Sequence, residues 1–110
     1  SSLYAKILLN PNSVLTEEVN NAPESEYALV FYDYKDNKFD TVIEKANLAI
    51  TKYEGHAIVS KFELLKAYTI GKKEGIEAFQ VALDFVATNY PNTEEGKKAL
   101  EVIETIKSKI

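Results

Sequence analysis

Ile76-Glu-Ala-Phe-Gln-Val-Ala-Leu-Asp-Phe-Val-Ala-Thr-Asn-Tyr90 lies over Phe39-Asp-Thr-Val-Ile-Glu-Lys-Ala-Asn-Leu-Ala-Ile-Thr-Lys-Tyr53 at a constant offset of 37 residues. Most positions that are apolar in one stretch are apolar in the other. In the first, Phe39, Val42, Ile43, Ala46, Ala49, Ile50 and Tyr53 follow spacings of three and four, which place them on one stripe of an amphipathic helix. Ile76, Phe79, Leu83, Val86, Ala87 and Tyr90 draw the same stripe one period later. An internal period of about 20–50 residues marks an architecture of stacked units, each burying its faces against its neighbours. Leu48 and Phe85 lie almost opposite the two stripes, again 37 apart. They predict a second contact for each helix, with a later helix of the stack.

Working outward, each of these helices has another before it. Residues 57–70 place Ile58, Phe62, Leu65 and Thr69 on one face and Leu64, Ala67 and Tyr68 on another, the pattern of a middle helix covered on two sides. Residues 24–36 are similar, with Tyr27, Val30, Phe31 and Tyr34 on one face and Ala28, Leu29 and Tyr32 on the other. Asp36-Asn37-Lys38 and Gly71-Lys-Lys-Glu-Gly75 read as turns, because both are rich in helix-stopping residues. After Pro91, Asn92 with Glu95 resembles a capping box. Ala99, Val102, Ile103, Ile106 and Ile110 then form a single stripe, while Lys97, Lys98, Glu101, Glu104 and Lys107 cover the other side. One wet face suits a terminal cap.

The expected organisation is all-α, with antiparallel helix pairs over about 24–54 and 57–91 and a capping helix over 93–110. Together they form one repeat domain, 23–110. Residues 1–22 read as the remnant of an upstream helical segment, with Leu3, Tyr4, Ile7 and Leu8 stopped at Asn10-Pro11-Asn12. Pro23 suits the first turn of the next helix.

Composition narrows the function. The chain has 110 residues, 45% hydrophobic and 27% charged, which is the make-up of one globular domain. It contains no methionine, so it reads as an excerpt of a longer protein with any targeting signal upstream. No apolar run approaches the roughly 18 residues of a membrane span. Cysteine is absent, which excludes disulfides, thiolate metal sites and a cysteine nucleophile. Thirteen basic residues, all lysine, face seventeen acidic ones for a net charge of −4. Nucleic acid is not an expected partner, because no basic stripe is present to displace counterions from a duplex.

No motif for catalysis or a cofactor emerges. His56 is the only histidine, beside Gly55 in a turn, and no partner to orient it is visible. It reads as an exposed turn residue. Gly71-Lys-Lys-Glu-Gly75 lacks the spacing and preceding strand of a phosphate-binding loop. Asp33, Asp36 and Asp40 lie on one edge without a calcium-loop pattern and read as solvated. Of the seven tyrosines, Tyr27, Tyr34, Tyr53, Tyr68 and Tyr90 read as core. Tyr32, on the second face of its helix, is the candidate contact to a partner, as tyrosine suits interface hot spots. Lys61 and Lys66 are further candidates on the first helix of the second pair.

Lys38-Phe39-Asp40, with Val42-Ile43 and Ala49, resembles the second helix of a tetratricopeptide repeat, and Tyr90-Pro91-Asn92-Thr93-Glu94-Glu95-Gly96-Lys97-Lys98-Ala99 closes the second unit as such repeats close. That family repeats helix pairs every ~34 residues; here the extra residues fit the turn expected over 71–75. The first helices depart from the family, with Tyr27, Val30 and Phe31 in place of the usual Trp-Leu-Gly pattern, and Glu54 stands where proline is usual. The Tyr-Pro-Asn-Thr ending is similar to repeats of outer-membrane assembly lipoproteins and of the Tol-Pal coordinator. Phe62-Glu-Leu-Leu-Lys-Ala-Tyr68 with Gly71 and Tyr90 to Gly96 resembles the C-terminal repeats of bacterial gliding-motility and type IX secretion lipoproteins. The resemblance implies a short right-handed superhelix in the periplasm or at the outer membrane. It also implies a non-enzymatic scaffold without cofactors, whose partners are other envelope proteins. A purely structural spacer or oligomerisation segment, or a module of outer-membrane assembly machinery, is the competing expectation.

Overall fold

The computed structural model describes residues 22–109. The expected upstream remnant, apart from Ala22, and Ile110 of the last stripe lie outside the described residues. Within them the chain forms five α-helices and no strand: α1 Ala22–Lys35, α2 Phe39–Lys52, α3 Ile58–Glu74, α4 Ile76–Asn89 and α5 Glu94–Lys109.

Local chemistry sets the boundaries. Pro23 sits in the first turn of α1, where its missing N–H costs no bond. After Lys35 the chain reverses through Asn37 in the left-handed region at φ 64°. The turn expected over 71–75 shrinks to one residue: α3 runs on to Glu74, and Gly75, at φ 105°, both ends it and opens α4. Gly71 is therefore helical. A Cβ there would stand 2.7 Å from the Phe79 ring, so the missing side chain serves the close crossing of α3 and α4. The additional length of the second unit lies in the 17-residue α3 and not in a loop. The cap of α5 also differs from the expected box. Thr93 Oγ1 accepts from the Gly96 N–H at 2.9 Å, and Glu95 turns to α3, accepting from Ser60 Oγ at 2.9 Å.

α3 is the centre of the molecule. It packs on α2 and α4 and also touches α1 and α5, whereas α2 and α4 do not meet. Two cores lie on its two sides. Val30, Val42, Ala46 and Ala49 close on Ile58, Phe62 and Leu65 in the first, with Tyr27, Tyr34 and Tyr53 packed around them. Ala67, Leu83, Val86, Ala99 and Ile103 form the second, flanked by Tyr68 and Tyr90. The five tyrosines expected in the core pack there, and the helix periods expected from sequence are the helices observed.

The second contact expected of α2 and α4 is made, since α2 packs on α1 and α3, and α4 on α3 and α5. It does not use Leu48 and Phe85, which are 64% and 50% exposed, so the apolar spots opposite the main stripes are uncovered. The second face of α1 is open too: Ala28 is exposed, and Leu29 and Tyr32 are 65% and 60% exposed. Only α3 is covered on both sides as expected. The reason is position, since α1 lies at the end of the described stack with neighbours on one side, whereas α3 lies between α1–α2 and α5.

A pair of hydrogen bonds repeats with the helices. Tyr53 donates to Glu26 Oε1 at 2.6 Å, and Tyr90 donates to Glu63 Oε2 at 3.4 Å, each tying the end of a second helix to its own first helix. Both partners are displaced by the same 37 residues. The offset seen in α2 and α4 thus extends to α1 and α3, where the sequences show little likeness.

Candidate functional site

The uncovered face of α4 and the adjoining side of α3 enclose a groove of about 510 Å³. α3 contributes Glu63, Lys66, Ala67 and Ile70; α4 contributes Ala78, Val81, Ala82 and Phe85. Val81 is 73% exposed although it stands on a helix with a complete core stripe of its own. An exposed apolar cluster on a helix whose fold-forming face is already buried requires another explanation.

The equivalent positions of the first unit sharpen the contrast. At an offset of 37, Ile70 and Ala82 correspond to Asp33 and Lys45, and Val81 to Glu44. There Lys45 Nζ lies 3.1 Å from Asp33 Oδ2, and an ion pair spans α1 and α2. The same backbone arrangement accepts polar residues, so the apolar lining between α3 and α4 is not demanded by the fold.

Glu63 is the one acidic residue of the lining. It is 8% exposed, and burial raises its carboxyl above the ordinary range, with Lys66 and the Tyr90 hydroxyl acting in the opposite sense. Burial, followed by the charge of Glu63, raises the Tyr90 hydroxyl in turn.

A larger depression of about 690 Å³ lies where the α2–α3 and α4–α5 loops meet, lined in part by His56, Ser60, Tyr90 and Thr93. These four side chains are already engaged. His56 Nδ1 accepts from the Ile58 N–H at 2.9 Å, so the imidazole, one residue before the N-cap Ala57, has a backbone partner, contrary to the expectation of a histidine without one. Ser60 Oγ donates to Glu95, and Thr93 caps α5. This depression is a junction of helix ends.

The candidate residues named from sequence do not converge. Tyr32 stands on the open face of α1, with Lys35 Nζ 5.4 Å above its ring. Lys61 lies 3.6 Å from Glu95 and 5.9 Å over the Tyr27 ring, along the row formed by α1, α3 and α5. Lys66 alone lines the groove, because five positions turn a helix by about 140° beyond one revolution and carry it to another side. Asp33 and Asp40 each hold a lysine, with Lys73 Nζ 2.7 Å from Asp40 Oδ1. No group of side chains suited to a metal ion occurs among the described residues. None of the described helices is long and apolar enough to cross a membrane.

Glu63, Ile70 and Val81 escaped the sequence reading. Phe85 reads in sequence as a second apolar spot, and Val81, one turn before it, is the signal that the spot is a stripe. No family model matches the chain, and no curated protein is significantly similar to it.

Proposed function

We propose that this chain is a non-enzymatic protein-interaction module of tetratricopeptide type, part of a larger bacterial envelope protein resembling the gliding-motility and type IX secretion lipoproteins. The order of packing supports the repeat reading. First helices meet their own second helix and the next first helix, while second helices stay apart. The observation that carries the interaction reading is the apolar groove of the second unit at positions where the first unit holds an ion pair.

The test is site-specific photo-cross-linking in the native envelope, with a benzophenone side chain at Val81 or at Lys38, exposed in the α1–α2 turn. A discrete protein adduct at position 81 and none at 38 is the expected result. Equal labelling at both positions, or at neither, rejects the module.

A spacer reading is favoured by a different observation. Ala28 and Tyr32 correspond, 37 residues on, to Leu65 and Thr69, which are buried in α3. The open face of α1 is thus the equivalent of a stacking seat, and Tyr32 belongs to that seat more than to a partner site.

A further inference from the structure

The two Tyr–Glu pairs differ in one member. In the first unit Glu26 accepts from Tyr53 at 2.6 Å and also pairs with Lys52 at 3.3 Å, and its side chain is 34% exposed. In the second unit the position of Lys52 is taken by Asn89, whose side-chain amide donates to the Phe85 carbonyl at 2.9 Å and so turns along its own helix. Glu63 keeps only the 3.4 Å bond from Tyr90 among the described hydrogen bonds, although it is the more buried of the two carboxylates. Lys66 lines the same groove, yet no ion pair joins it to Glu63.

A buried carboxylate with one long hydrogen bond, at the edge of an open apolar groove, has room for a donor from outside. On the reading proposed above, we infer that the groove between α3 and α4 takes a segment of another protein that presents an apolar side chain to Val81 and Phe85 together with a lysine or arginine, whose cation occupies at Glu63 the place that Lys52 occupies at Glu26. A second copy of this chain is the poorer occupant. Val81, Phe85 and their small neighbours offer far less than the ~800 Å² per partner that a stable dimer buries.

The full 110-residue chain is titrated with two probes of one apolar shape and opposite charge, 4-phenylbutylamine and 4-phenylbutanoate, and followed by backbone amide shifts. The amine is expected to shift the amides of Ala67, Ile70, Val81 and Phe85 saturably and to bind at least ~5-fold tighter than the carboxylate, the scale of one partly screened ion pair. Glu63→Gln is expected to bring the two probes to equal affinity. Val81→Gln, which removes the apolar contact without adding a charge, is expected to weaken both. Spectra away from the groove report whether each variant is folded.

Equal binding of the two probes to the wild-type chain, or an amine preference that survives in Glu63→Gln, overturns the cation assignment while leaving the groove as a site. The absence of saturable shifts with either probe overturns the groove itself. Concentration-dependent shifts of the same amides without any probe assign it to a second copy instead. The envelope cross-linking at Val81 remains an independent test of the interaction reading.

Discussion

The folded state holds a proton on Glu63 more tightly than the unfolded chain does, because burial outweighs Lys66 and Tyr90. Its contribution to stability is therefore most favourable below the unfolded carboxylate range and declines as pH rises through the folded value. Glu63→Gln, uncharged and nearly isosteric, is expected to unfold at higher urea than wild type at pH 7, with the difference closing as pH falls below the carboxylate range. Urea titrations at the two ends of that range check the sign. His56→Ala removes the acceptor of the first N–H of α3 and is expected to cost about 0.5–1.5 kcal/mol, the net worth of one hydrogen bond. A melting midpoint equal to wild type would contradict it. Neither role was legible in sequence. A charged residue inside a helix reads as surface, and a histidine beside a glycine reads as a turn, until the backbone shows which N–H it faces.

At the scale of the helices, periodicity was a dependable guide to the faces and a weak guide to the ends. Leu83 lies at the centre of its stripe and is fully buried, so Leu83→Ala is expected to cost about 2–5 kcal/mol. The stripe was visible because spacings of three and four need no knowledge of tertiary contacts. Gly71 was misread for the opposite reason: glycine usually punctuates a chain, and here it is retained inside a helix by the ring that crosses it. Gly71→Ala separates the two accounts. Alanine gains up to ~1 kcal/mol of helix propensity in a helix interior, but displacing the close-packed Phe79 costs about 1–3 kcal/mol. The variant is expected to melt below wild type, whereas a glycine serving only as a loop residue would melt at or above it. The groove was half legible: Phe85 stood out by its repeat partner Leu48, but the difference between the two units became readable only when the Lys45–Asp33 pair was found at the equivalent place.

Over the whole molecule, the described helices form an elongated stack, 56 × 29 × 23 Å, with contacts passing only between neighbours and next neighbours. In such a stack stability is carried locally, and a helix is as secure as the number of sides on which it is held. α3 belongs to both cores through Ile58, Phe62 and Leu65 on one side and Ala67 on the other. α1 and α5 each belong to one. Protection of backbone amides against deuterium is therefore expected to fall outward from α3, whose amides exchange only when the entire stack opens, while α1 and α5 exchange through separate, cheaper openings. Uniform protection across the five helices would show instead a single cooperative unit. If the gradient holds, the sharing of α3 has a kinetic meaning as well: either end can detach and reattach without erasing the other, so the groove between α3 and α4 keeps its shape while the α1 end is remodelled.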